Sequence, residues 1–376
     1  TADGEPRERA RMLPGVTSTR LGADRCPGLL TPFVAQDGAI IRLRIPGGRV
    51  HVSTLAELLA IGTDFGAPML AVTSRTNLQV RGLPDPLPEE VMVRAEATGL
   101  LPSSTHERAR NILAAPRAPE LGPLVAELDV ALCADPLLAD LPGRFLFAVS
   151  DATGSVLTEP FDVAYQALTP TTGVLRVGGL GMPCAHDDAV AHLLKRARLF
   201  LQHRAGPRVW NIRDLPADSP VLRGLEPMPV DAAAPLVPGP IGDDLVAGIP
   251  LAMLRADHLT ALARVTDEVV ITPWRSVVIP GGARFAQELG DAGFSVTATD
   301  PWARLSACSG APWCARTSSP TMELALAAAP SLRPSGPRIH LVGCERACGA
   351  PTLDHVLVVD PRSVDDVVTA DGVSDR

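Results

Sequence analysis

The sequence holds one lysine, Lys195; all its other basic side chains are arginine. It also lacks any apolar run approaching the roughly 20 residues that a membrane-spanning helix needs, so no membrane partner is expected. The opening residues, TADGEPRERARMLPG, contain no apolar segment of the secretory type, and a cytoplasmic protein is expected. Positive charge is in deficit. The net charge of −8 weighs against a nucleic-acid partner, because neutralising phosphates demands a basic face. A disulfide framework is not expected in a cytoplasmic chain of 376 residues whose seven cysteines make an odd count.

What remains is an arginine-rich chain, nearly half apolar, that is long enough for more than one core. Arg42, Arg44, Arg49, Arg75, Arg81, Arg108, Arg110, Arg117 and Arg144 all fall early. Genome composition is the plain explanation. The guanidinium fork also grips carboxylates bidentately, so a ligand rich in carboxylates suits such a set.

The pattern along the chain divides it. Residues 1–25 read as a loose tail and 26–90 as a first half-domain: strands in AIIRLRIP and RVHVS, a helix through LAELLAIG, then strands in MLAVTSR and LQVRGL. The helix start predicts a capping box, Thr54 with Glu57. Residues 103–215 hold strand-like RFLFAVS and VLRVGG, then a helix from about Asp187 to His203. The stretch 216–244, rich in Pro and Ala, is the linker candidate. Residues 245–295 repeat the first unit, with Asp257 as helix cap, and TPWRSVVIPG (272–281) occupies the place of TSRTNLQVRG (73–82). An internal duplication with pseudo-symmetry is therefore expected. Residues 296–376 carry a cysteine quartet.

That quartet is Cys308-x5-Cys314, then 29 residues, then Cys344-x3-Cys348. Four thiolates are what an iron–sulfur cubane takes. Zinc also accepts thiolates, but its sites favour C-x2-4-C pairs on tight knuckles, and x5 is wide for that. Gly310 and Pro312 bend the chain between the first pair, and RIHLVG reads as a buried strand that delivers Cys344. A [4Fe–4S] cluster is the leading expectation, with zinc and buried packing cysteines as alternatives. Cys26, Cys133 and Cys184 read as packing cysteines. Gly179 and Gly181, ahead of the helix at Asp187, have two readings: a tight turn, or a cradle for a carboxylate at a helix N-terminus.

ACSGAPWC and GCERACGAP, with TSRTNLQVRG in a duplicated half-domain, resemble the sirohaem-dependent sulfite and nitrite reductases over roughly residues 26–360. The resemblance implies an α+β fold: duplicated sulfite reductase ferredoxin-like half-domains plus α/β cluster-binding domains with pseudo-two-fold symmetry. It implies Cys348 as the bridge to sirohaem wherever that group is bound. It also implies anion-holding roles for Arg75, for Arg110 in ARNIL, and for Arg144 in the segment where the family has a K-x-K pair. Leu146 replaces the second lysine of that pair, and leucine neither donates a proton nor holds an oxyanion.

The departure resembles the family's non-reductase branch, the precorrin-3B synthases, and so does the modest length. That resemblance implies an oxygen-dependent monooxygenase acting on a polycarboxylate tetrapyrrole, precorrin-3A, by hydroxylation with lactone formation. It further implies a non-haem iron centre, molecular oxygen, and an external donor such as an NADH-linked reductase or a ferredoxin. Arg42, Arg44 and Arg81 join Gly179 and Gly181 as substrate-binding candidates; a surface role is the plain alternative for Arg75, Arg81 and Arg110. His51, His106, His186 and His340 are candidates by location alone, and no iron ligand is assigned. A sirohaem reductase is the alternative function. A non-enzymatic Fe–S carrier is a third, which would need neither the duplication nor the arginines.

Overall fold

The computed structural model describes residues 26–351 and 353–372. The tail expected over 1–25 lies outside them. The described residues divide into two compact units, one within Gly22–Ala298 and the other within Thr299–Arg376. Among them, no helix is long and apolar enough to cross a membrane.

The larger unit opens with β1 (Phe33–Ala35), β2 (Gly38–Leu43), β3 (Arg49–His51), α1 (Val52–Phe65), β4 (Leu70–Val72), β5 (Leu78–Leu83) and α2 (Glu89–Ala97). Its middle comprises β6 (Ile112–Ala114), α3 (Gly122–Cys133), β7 (Phe147–Ser150), β8 (Val163–Ala167), β9 (Thr172–Val177), β10 (Leu180–Ala185), α4 (Ala189–His203) and β11 (Glu226–Pro227). It closes with β12 (Gly239–Ile241), β13 (Asp244–Gly248), β14 (Met253–Leu254), α5 (Ala256–Val265), β15 (Glu268–Ile271), β16 (Ser276–Ile279) and α6 (Ala286–Asp291).

The duplication is written into the sheets. One runs β1-β2-β5-β4-β14 and its counterpart β12-β13-β16-β15-β3. Each half thus lends the strand before its long helix to the other half: Val50 pairs with Val269, and Met253 with Ala71. Alternation puts Ala39, Ile41 and Leu43 on one face and Leu245 and Ala247 on its equivalent. These meet Leu55, Leu58, Leu259 and Leu262 of α1 and α5 in one shared core. Each fully buried leucine there contributes about 1.5–3 kcal/mol. The turns repeat as well. Thr73 N–H donates to Asn77 O at 2.9 Å, as Thr272 N–H does to Ser276 O, and Thr76 and Arg275 share a left-handed φ of 56° and 58°. Arg75 of the first half therefore corresponds to Trp274 of the second.

The strand exchange corrects two helix starts. Helix α1 begins at Val52, and the Thr54–Glu57 box is not formed. Val52 N–H instead donates to Asp267 O at 2.9 Å across the exchange, while Glu57 pairs with Arg94. In α5 the cap is Arg255, whose N–H donates to His258 Nδ1 at 3.2 Å, and Asp257 sits inside the first turn. Backbone pairing between the halves fixes where the two helices begin and overrides the local caps.

The middle sheet runs β11-β10-β9-β8-β7-β6. Phe147, Val149, Val163 and Tyr165 face α3 and α4, while Ala148 and Ala164 join Leu113, Leu146, Val156 and Leu157 on the opposite face. Gly178 and Gly179 form the β9–β10 hairpin turn, Gly178 at φ 56°. They do not stand at a helix N-terminus, because β10 intervenes before α4. The stretch 216–244 is tied to this sheet: Arg176 donates to Met228 O at 3.1 Å, and Ala233 N–H to Thr153 O at 2.8 Å.

The smaller unit is a parallel sheet, β17 (Leu305–Ala307), β18 (Ile339–Val342) and β19 (Val356–Val359), with α7 (Thr321–Ala328) and α8 (Val364–Asp371).

Candidate functional site

In the smaller unit, β17 and β18 pair in parallel, Ala307 opposite Leu341, so they release Cys308 and Gly343-Cys344 side by side at their C-terminal ends. Cys308 N–H donates to Leu341 O at 2.8 Å, and Gly343 N–H donates to the Cys308 sulfur at 3.3 Å. Thr321 Oγ1 donates to Cys308 O at 2.8 Å. Gly310 passes so close that a Cβ there would stand 2.3 Å from Thr321 Oγ1, and its φ of 59° suits glycine. Cys344 O accepts the Ala347 N–H at 3.2 Å, closing the turn that carries Cys348. His340 is fully buried; its Nδ1 contacts Ser306 Oγ at 2.8 Å and its Nε2 the Cys348 carbonyl at 3.1 Å. Cys348 is exposed as a residue, yet the partial burial of its thiol, with the sulfurs of Cys308, Cys344 and Cys314, pushes it up against the pull of Arg346. The four thiols therefore share one electrostatic neighbourhood.

None of the four is in a disulfide. Among the described residues, no three His, Cys, Asp or Glu side chains stand close enough to bind a single metal ion. A cubane asks something else: one thiolate per iron, on a rigid frame, with N–H groups turned to the sulfurs. The donor set, the strand-end placement and the Gly343 N–H fit such a cluster. The mononuclear iron is different. The described residues offer it no three-ligand set, and His106 is engaged at both nitrogens, by Ser103 Oγ at 2.8 Å and Asp135 O at 2.9 Å. His186 lies edge-on to Tyr165, and His51 is exposed. No residue and no step is assigned to that iron.

In the larger unit the arginines sort themselves. Arg75 projects from the 73–77 turn, and its guanidinium has no hydrogen-bond or ion-pair partner among the described residues. Burial lowers its pKa; Cys26 and Asp162 oppose that, while Arg144 and Arg42 add to it. Arg42 and Arg144 thus lie within electrostatic reach of Arg75. Arg144 is exposed and stacks over the Trp210 ring at 5.0 Å. With the Gln79 amide oxygen turned towards it, Arg42 donates to that oxygen at 2.7 and 3.1 Å. Arg44 is 1% exposed and donates to Pro27 O at 2.6 Å, but its Nε and Nη2 are buried without partners. Burial, with Arg42 adding, pushes its pKa down to about 9.

Two sequence candidates are committed elsewhere. Arg110 makes a bidentate pair with Asp129 at 2.7 and 2.6 Å, and Arg81 pairs with Asp37 at 3.2 Å. Each guanidinium is already paired with a carboxylate, unlike Arg75 and Arg144. Gly179 and Gly181 belong to the hairpin described above. Cys133 and Cys184 pack beside the apolar core of the middle sheet; Cys26 instead faces Arg44 and Arg75.

Sequence reasoning missed three residues. Glu107 gathers Leu29 N–H at 2.7 Å, Leu30 N–H at 3.0 Å and Thr31 Oγ1 at 2.9 Å, holding the segment that brings Cys26 to the arginines. Asn77 and Asn111 hydrogen-bond at 2.9 Å and tie the Arg75 turn to the ARN segment. Both asparagines stood inside motifs already singled out for their arginines, which was the available signal.

The sequence profile of the nitrite/sulfite reductase ferredoxin-like half domain matches residues 34–96. The chain is 25% identical over 386 residues to a Sinorhizobium sp protein named precorrin-3B synthase, covering 92% of this chain and 82% of that one. Among solved structures, the Mycobacterium tuberculosis NirA protein superposes with a TM-score of 0.61 at 18% identity, covering 83% of this chain and 69% of that chain. The duplicated nitrite/sulfite reductase-like fold is thus present, and the chain resembles precorrin-3B synthase among such proteins.

Proposed function

We propose that the chain is an oxidoreductase that uses molecular oxygen to hydroxylate precorrin-3A to precorrin-3B, with lactone formation from a ring acetate. One observation carries the reading: Arg42 and Arg144 lie within electrostatic reach of Arg75, and neither Arg75 nor Arg144 has a carboxylate partner among the described residues. Like charges held together in a partly buried place call for an anionic ligand, and the acetates and propionates of a tetrapyrrole supply several. The likeness to precorrin-3B synthase supports the substrate. A [4Fe–4S] cluster on Cys308, Cys314, Cys344 and Cys348 would supply single electrons, received from an external donor.

What the chain itself does at the arginine site is bind and orient. Arg75 and Arg144 grip carboxylates, the Gln79 amide keeps Arg42 in place, and Leu146, at the position where a reductase would present a lysine, brings no charge. Leu146 is 1% exposed among Leu113, Ala148 and Leu157.

Anaerobically purified protein should show a broad brown absorption without sharp haem bands. Precorrin-3A incubated with protein, reductant and oxygen should gain oxygen mass. Sharp Soret and Q bands from co-purified sirohaem, with unchanged precorrin-3A, would instead favour the sulfite or nitrite reductase that the NirA-like fold also accommodates.

A further inference from the structure

Glu159 is a buried carboxyl within electrostatic reach of Arg75. It lies in the turn-rich segment between β7 and β8 and is 6% exposed. Its Oε1 accepts the indole N–H of Trp274 at 3.0 Å, and Trp274 is the counterpart of Arg75 in the other half-domain. The turn of the second half thus reaches this carboxyl directly through Trp274, and Arg75 of the equivalent turn is the charge that acts on it. Burial raises the pKa of Glu159, against the pull of the indole and of Arg75. Arg144, Arg42 and Asp162 act on Arg75 in turn.

We propose that binding of a polycarboxylate at the Arg42–Arg75–Arg144 cluster is coupled to the uptake of one proton from solvent by Glu159. The inference rests on the cluster being the ligand site. An incoming carboxylate pairs with Arg75, offsets its pull on Glu159 and sets a second anion near that carboxyl. Two carboxylates at close quarters do not both stay ionised when one is buried, so Glu159 takes the proton. The neutral carboxyl then has an O–H that a ligand oxygen accepts. Glu159 is in this way selective, since it favours ligands that bring an oxygen acceptor to Arg75.

The full chain is titrated with uroporphyrin, an octacarboxylate tetrapyrrole, by fluorescence across pH 6–8.5 and by calorimetry in buffers of different ionisation heat. The wild-type chain should take up about one proton more than Glu159→Gln. Its affinity should fall with rising pH by up to about tenfold per unit relative to that variant. The glutamine keeps an oxygen for Trp274, and an unchanged unfolding midpoint checks that the fold survives. Tight binding with equal proton uptake and parallel pH curves in both proteins overturns the coupling. If uroporphyrin fails to bind, or binds undiminished to the Arg75→Gln/Arg144→Gln double variant, the cluster reading itself falls.

Discussion

The Asn77 side-chain amide donates to Asn111 Oδ1 at 2.9 Å in a place where neither residue is more than 1% exposed. The amide of Asn111 then donates to Arg108 O at 3.0 Å and Gly143 O at 3.1 Å, and Asn77 Oδ1 accepts the Ile45 N–H at 3.4 Å. Two side chains therefore lock together the segments that present Arg75, Arg108 and Arg144. Removing either leaves buried polar groups unpaired, at about 1–3 kcal/mol each. Asn111→Ala should lower stability by about 3 kcal/mol in urea unfolding. A double-mutant cycle with Asn77→Ala should give a coupling of about 1 kcal/mol or more. Simple additivity would show that the amides do not act as a unit.

That network shows how much was legible beforehand. The motifs around Arg75 and Arg144 were visible in the chain, and so was the duplication, because both repeat residue types at fixed spacing. The partners were not. Arg110 reads as an anion ligand until Asp129, nineteen positions on, is seen to saturate it. The exchange of β3 and β14 was out of reach, since strands of three and two residues carry no periodicity and their partners lie in the other half. Tertiary pairing also erased the capping box expected at Thr54, where the sequence signal was strong but local.

The cysteine quartet gives a sharper test. Cys314→Ser should strip iron and acid-labile sulfide from anaerobically purified protein, because a cubane loses integrity when one iron loses its thiolate. Cys184→Ser is the control. That sulfur is buried beside Ala185 O at 3.4 Å, on the middle sheet of the larger unit, and its loss should leave iron and sulfide unchanged. Full iron and sulfide in the Cys314 variant would remove that residue from the ligand set.

Leu146 occupies the position where the resemblance to the reductases places a lysine, and it is buried. Its neighbours are Leu113, Ala148, Val156, Leu157 and Ala164. Leu146→Lys would place an ammonium among these apolar side chains, and should cost about 3 kcal/mol or more. Leu146→Met conserves volume and should cost less than about 1.5 kcal/mol. Urea midpoints of the two variants measure the difference. A lysine tolerated as well as methionine would mean that this position opens onto solvent or ligand.

His258 sets the last expectation, in opposition to Asp162. His258 is fully buried, accepts from the Arg255 N–H, and is pushed down to about 4, chiefly by burial and then by Arg255. Between about pH 6.5 and 4 the unfolded chain binds a proton there that the folded chain refuses, so stability is lost as pH falls through that window. Asp162 is pushed up to about 6 by burial, against the donors Asn211, Ile212 and Leu146. Its folded carboxyl holds a proton that the unfolded one releases, so its contribution grows as pH falls from about 6 to 4. The two slopes oppose each other over the same range. His258→Asn removes only the first. The penalty of that substitution, measured by urea unfolding at pH 7.5 and again at 4.5, should shrink at the lower pH by about 2–3 kcal/mol. A penalty that stays constant with pH would show that His258 protonates equally well in both states.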